Sequence, residues 1–165
     1  MGVIRPAAAA DAQAIFELRV ANRAQLEPYE PDTEAGETRW QLEGARRWVT
    51  AGAGRFVIVD EGAVVGGVGV FDIRGIPISS AILGYWVDRA HNGRGLATRA
   101  VAEMLEFAFG ELELHRLEAG TRVDNVASQR VLEHNGFTCV GLLRRHLLIQ
   151  GEWHDHLLWE RLADD

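Results

Sequence analysis

Asn92-Gly93-Arg94-Gly95-Leu96-Ala97-Thr98-Arg99 joins two segments of opposite habit. Before it, Ala81-Ile82-Leu83-Gly84-Tyr85-Trp86-Val87 is an apolar run that reads as a strand. After it, Ala100 to Phe109 has neither Gly nor Pro and places apolar residues at helical spacing. A glycine-rich turn between a strand end and a helix start suits an anion. The first N–H groups of the helix lack internal acceptors, the helix dipole adds partial positive charge, and glycine lets the backbone approach a phosphate. Residues 93–98 therefore predict binding of a phosphate-bearing cofactor. Two other phosphate loops are excluded. The turn has Gly93-x-Gly95 followed by Ala97 but no third glycine in the dinucleotide register, and the string G-x-x-x-x-G-K-[ST] occurs nowhere.

A second segment reads as cleanly. Leu114 to Val123 alternates as a strand should, and Asp124 to Phe137 is a helix punctuated at both ends. Asp124 or Asn125 can cap its start, and Asn135-Gly136 supplies a left-handed stop. Taken together, the two segments carry a resemblance. The pattern N-x-x-G-x-A at Asn92–Ala97 is similar to the Q/R-x-x-G-x-G/A signature of the GNAT superfamily of N-acetyltransferases. Asn125-x-x-Ser128, a helix, and Gly136-Phe137 resemble that superfamily's second cofactor-contacting segment. Asn22-Arg23-Ala24-Gln25-Leu26-Glu27-Pro28-Tyr29-Glu30-Pro31 is similar to the N-R-x-x-L-x-P-W-E-P stretch of the RimJ/RimL-like branch. Gln150-Gly151-Glu152-Trp153-His154-Asp155 resembles that branch's closing hairpin. The likeness runs from Ile4 to Leu162.

The resemblance implies acetyl-CoA as cofactor and acetyl transfer to a primary amine, either a protein N-terminus or a small molecule. A catalytically silent acyl-CoA sensor is the other reading of the same motifs. By resemblance the cofactor contacts are Trp86, Val87, Asn92, Gly93, Arg94, Gly95, Leu96, Ala97, Thr98, Asn125 and Ser128. The backbone N–H of Val87, or of Trp86, would meet the thioester oxygen as it gains charge. Many superfamily members place a tyrosine four residues before the G-F pair as the acid for the leaving thiolate; Leu132 stands there instead, and the resemblance to RimJ/RimL-like proteins, which have a serine matching Ser128, implies Ser128 as the candidate acid. Glu30 is the candidate general base, and Tyr29 replaces the branch's usual Trp beside it. Helix-start residues such as Asn125 and Ser128 also serve as plain caps, and a loop carboxylate such as Glu30 is more often simply solvated.

Composition agrees with a single enzyme domain over residues 1–165. The chain has 47% hydrophobic and 25% charged residues, no apolar run of membrane-spanning length and no basic-then-apolar leader. A cytoplasmic location is expected. The single cysteine, Cys139, excludes an intrachain disulfide and is expected to pack inside a strand. A formal charge of −7 speaks against nucleic-acid binding. No membrane contact and no metal are expected: His154-Asp155-His156 puts two histidines on one strand face without a third ligand. A homodimer is compatible with all of this.

The expected order is β-α-α-β-β-β-α-β-α-β-β. Its members are a short strand at Val3–Arg5, a helix from Asp11 to about Leu26, a loop at Pro28–Glu37 and a helix from Thr38 to about Ala51. A hairpin of Arg55–Val59 with Ala63–Asp72 follows, then the segments above and two closing strands at about 138–149 and 153–161. The fold class is α/β (α+β): the GNAT fold, a mixed central sheet of about seven strands flanked by about four helices.

Overall fold

The computed structural model describes residues 2–165. Seven strands form one mixed sheet: β1 Ile4–Pro6, β2 Arg55–Asp60, β3 Ala63–Arg74, β4 Ser80–Val87, β5 Arg116–Arg122, β6 Thr138–Ile149 and β7 Glu152–Leu162. Their spatial order is β1-β2-β3-β4-β5-β7-β6. Every pairing is antiparallel except β4 with β5. Five α-helices complete it: α1 Ala12–Ala21, α2 Arg23–Leu26, α3 Leu42–Val49, α4 Leu96–Glu106 and α5 Val126–His134.

Each face of the sheet is covered by the elements whose apolar spacing matches it. Leu96, Ala100, Val101 and Met104 of α4 are all buried, and with Leu132 of α5 they meet Val68, Val70, Leu83, Ala119 and Trp159 from the sheet. On the other face Ala12 and Ile15 of α1 and Ala45 and Val49 of α3 close over Val57. Leu132 is wholly buried in the first of these cores, which explains an aliphatic residue there.

Three local expectations need correction. The helix from Asp11 to Leu26 breaks at Asn22, whose side-chain amide donates to the Leu18 carbonyl at 2.8 Å and is then drawn to β4. The helix expected from Thr38 is shorter: a tight single turn, Gly36–Trp40, precedes α3. Cys139 is exposed rather than packed, because β6 is the edge strand of the sheet.

The feature that prepares a site is the junction of β4 and β5. Parallel pairing lasts only from Ser80↔Arg116 to Ile82↔Glu118. Beyond it the two strands part, while β4 stays on β3 as far as Val87↔Gly66 and β5 stays on β7 as far as Arg122↔His156. A wedge-shaped gap opens between two otherwise intact half-sheets.

Candidate active site

The gap has a polar wall. Asp88 N–H donates to the Val65 carbonyl of β3 at 2.7 Å. Antiparallel ladders alternate, so the polar groups of 82, 84 and 86 also face β3, while those of Tyr85 and Val87 face the gap. Val87, proposed from the sequence as oxyanion donor, is buried and its N–H lies on the gap side. Trp86, its alternative, directs its N–H to Gly67 on β3. The Trp86 indole lies on the α1–α3 face beside Trp48, with the Arg19 guanidinium 5.8 Å from its ring.

At the wide end of the gap β4 runs into the glycine turn. Gly93 and Gly95 take φ of 75° and 72°, in the left-handed region, and Gly95 caps α4. A Cβ built on either would meet nothing within 4 Å. The space above the turn is open, and residues 92–95 are exposed. The N–H groups of Leu96, Ala97 and Thr98 form the first turn of α4 and have no intrahelical acceptor. Asn92 reaches back to Gln25, and Arg94 turns away to Asp60 at 2.6 Å. The turn thus presents backbone donors, with its one cation held at the rim.

On the α4–α5 face the gap is roofed by a hydroxyl pair. Ser128 Oγ lies 2.8 Å from Tyr85 Oη, whose second contact is the Ser128 carbonyl at 3.1 Å. Burial pushes the Tyr85 phenol up to about 12, with the Ser128 bond pulling modestly the other way, so it is protonated at neutral pH. Asn125 is the N-cap of α5, its side-chain oxygen accepting Ser128 N–H at 3.2 Å. That bond fixes the first turn of α5 and so the place of Ser128. From the sequence Tyr85 reads only as a strand residue. Its signal was the alternation of β4, which sends 83, 85 and 87 to the same face as α5.

The opposite face is closed by α2 and the segment after it. Gln25 Nε2 donates to the Val87 carbonyl at 3.2 Å, and Arg122 at the end of β5 donates to the Pro28 carbonyl at 2.7 Å. Glu30 is held by Arg19 at 2.7 Å, with Arg39 at 4.0 Å, and the three side chains are mostly buried. Arg19 in turn lies 4.9 Å from the Trp40 ring. His156, beside Arg122 in the ladder, is buried with Nδ1 against the His154 carbonyl at 3.0 Å. Burial foremost lowers its pKa, the bond to the His154 carbonyl opposes this, and the nearby Arg122 guanidinium and the imidazoles of His146 and His154 add smaller lowering effects.

Of the acidic groups of this side other than Glu30, Glu34 is exposed and the rest have partners. Glu27 and Glu37 share Arg23, and Asp32 accepts the N–H groups of Gln150 and Gly151 at the β6–β7 turn. No group of three His, Cys, Asp or Glu side chains among the described residues has metal-holding geometry. No helix among them is long and apolar enough to cross a membrane.

The likeness to known proteins is extensive. The model of the acetyltransferase (GNAT) domain matches residues 3–138. A probable N-acetyltransferase of Bacillus subtilis, YjcK, is 42% identical over 102 residues, 62% of this chain and 56% of that protein. The chain thus spans little more than half the length of such curated relatives. Among solved structures, Mycobacterium smegmatis RimJ in complex with CoA-disulfide is 36% identical, with a TM-score of 0.86 over 98% of this chain and 81% of the other. The ribosomal-protein-S5-alanine acetyltransferase of Vibrio fischeri is 30% identical, with a TM-score of 0.89 over 98% and 93%. With most of its length under the family model and a split mixed sheet matching these structures, the chain belongs to the GNAT acetyltransferase family.

Proposed function

We propose that the protein is an acetyl-CoA-dependent N-acetyltransferase acting on a primary amine, the α-amine of a polypeptide N-terminus being the acceptor class its surface fits best. One observation carries the reading: β4 leaves β5 at Ile82 with the N–H groups of Tyr85 and Val87 on its unpaired edge, and one short turn, Arg89–His91, leads from it to an open helix start. The residues fit the cofactor. An extended arm bearing amides can pair with the free edge of β4, and a pyrophosphate can sit on the 93–98 amides, where both glycines leave room. When bound, acetyl-CoA supplies an activated acetyl carbonyl and a thiolate leaving group.

The chain's own groups divide the work by face. The gap-side N–H of Val87 would donate to the carbonyl oxygen as its charge grows; such a donor contributes on the order of 3 kcal/mol. Ser128 Oγ–H gives its proton to the departing sulfur, and Tyr85 Oη–H donates to Ser128 in turn. The amine approaches from the opposite face, under the 25–30 segment. Glu30, with Oε2 occupied by Arg19, orients a water that takes the amine proton.

The acceptor class follows from charge. A polyamine needs several free carboxylates, and of the five in the 25–37 segment all but Glu34 are engaged by arginines or backbone N–H groups. A peptide N-terminus needs one ammonium site and a backbone to pair with. The test is thermal unfolding with acetyl-CoA against ATP, followed by thiol release with N-terminal peptides and with spermidine. At 100 times its dissociation constant the cofactor should add about 2.7 kcal/mol of stability. No shift at millimolar acetyl-CoA overturns the cofactor assignment. A shift without thiol release on any amine leaves a silent acyl-CoA sensor as the function.

A further inference from the structure

The corner between α1 and α2 sends two side chains, one helical turn apart, to the end of β4. Asn22 is buried and uses its whole side chain there: Nδ2 donates to Asp88 Oδ1 at 2.8 Å and to the Leu18 carbonyl, while Oδ1 accepts Arg89 N–H at 2.8 Å. Gln25 Nε2 donates to the Val87 carbonyl, and its Oε1 accepts from Asn92 Nδ2 at 3.3 Å. The peptide unit between Val87 and Asp88 is therefore gripped at both ends. Its carbonyl is held by Gln25 from the gap side and its N–H by Val65 from β3.

The segment that follows is tied to the other half-sheet. Three residues beyond Gln25, the Pro28 carbonyl accepts from Arg122 of β5. Residues 25–28 thus bridge the open end of the gap, one end fastened to β4 and the other to β5. Tyr29 and Glu30 come next, on the acceptor side. Asn92, the first residue of the anion turn, is bonded to the same Gln25.

We propose that Gln25, with Asn22, is a positioning residue that couples the cofactor turn to the acceptor-facing segment 26–32. The proposal rests on the acetyl-CoA reading above. A phosphate on the 93–98 amides immobilises the turn and so holds Asn92; Asn92 fixes Gln25, Gln25 fixes the Val87 carbonyl, and the bridge to Pro28 stiffens with it. Ligand binding at the turn orders a segment that the ligand does not have to touch, so the amine meets a formed site only after the cofactor is in place.

The experiment is hydrogen exchange with and without coenzyme A, on the wild type, Gln25→Met and Gln25→Glu. Gln25 is only half-buried, so both variants should fold; Met removes the donor at similar length, and Glu sets a negative charge against the Val87 carbonyl. In the wild type coenzyme A should slow exchange at 93–98 and, by about threefold to tenfold, at 26–32, the range one net hydrogen bond supports. Both variants should keep the protection at 93–98 and lose it at 26–32. A merely structural role for Gln25 would change exchange equally with and without ligand. Protection at 93–98 that never extends to 26–32 in the wild type overturns the coupling and leaves the cofactor assignment standing. So does protection that reaches 26–32 undiminished in Gln25→Met. No protection at 93–98 in the wild type overturns the cofactor assignment and the coupling together.

Discussion

Ser128 and Tyr85 illustrate how a side chain acquires a role from one contact. A serine in the first turn of a helix ordinarily satisfies backbone groups, yet here Asn125 caps α5 and Ser128 Oγ is left to the phenol at 2.8 Å. If Tyr85 donates to Oγ, the serine hydrogen is free for the leaving sulfur. If Tyr85 donates to the Ser128 carbonyl instead, the serine hydrogen points to Tyr85 and the acid is disarmed. Ser128→Ala should therefore lower kcat by about a hundredfold where chemistry limits the rate, the lower range of general acid catalysis. Tyr85→Phe should cost a smaller factor in kcat with little change in acetyl-CoA KM. Steady-state kinetics with thiol detection checks both, and equal activity of Ser128→Ala and wild type removes the acid assignment. Glu30→Gln should keep a titrating limb in kcat/KM at the pKa of the amine, because water rather than Glu30 accepts the proton; a pH–rate profile decides it.

Among the elements, the glycine turn and α4 behave as one device. Gly95 has φ of 72° and stands where Leu96 begins the helix, so any side chain at 95 incurs left-handed strain of roughly 1–2 kcal/mol. Apart from its immediate chain neighbours no protein atom lies within 4 Å of the added Cβ, so backbone strain is the main cost to the free protein. The same Cβ would project toward the place assigned to the pyrophosphate. Gly95→Ala should lower thermal stability modestly and weaken acetyl-CoA binding by more than that strain alone explains. Calorimetry beside a melting scan compares the two losses, and similar affinity in both proteins argues against phosphate at this turn. In α5, Asn125→Ala should cost about 1 kcal/mol through the lost cap and displace Ser128 as well, so its effect on kcat should exceed that of a cap elsewhere.

For the molecule as a whole, the sheet is two half-sheets joined by three register pairs and braced by the segment 22–32. That brace brings a buried histidine into the account. His156 is packed beneath Arg122, with His146 and His154 near, and burial lowers its pKa from the ordinary value. The unfolded chain binds a proton at His156 near pH ~6.5, and the folded chain only at lower pH. Between those values the unfolded state holds more protons, so stability contributed by neutral His156 is present above pH ~6.5 and declines as pH falls toward the folded value. Urea denaturation from pH 8 to pH 5 should show a steeper loss in wild type than in His156→Gln. Parallel curves for the two proteins would mean that His156 titrates as it does unfolded.

Local pattern carried most of the architecture. Apolar residues at helical spacing after Ala100 marked α4, an apolar run marked β4 and alternation marked β5, because periods of 3.6 and 2 are written residue by residue. The glycines at 93 and 95 marked a turn open to phosphate at a helix start, and their left-handed φ values came only with the structure. What the sequence could not state was which partner each polar group would take. Asn22 breaking its own helix to reach Asp88, Glu30 held by Arg19, Tyr85 meeting Ser128, and Cys139 exposed on an edge strand all depend on residues far along the chain. The gap itself is of that kind: β4 and β5 each read as ordinary strands, and only their divergence after Ile82 turns the N–H of Val87 into a free donor. Backbone period is a local property of sequence, whereas the pairing of polar groups is settled by packing distant segments together.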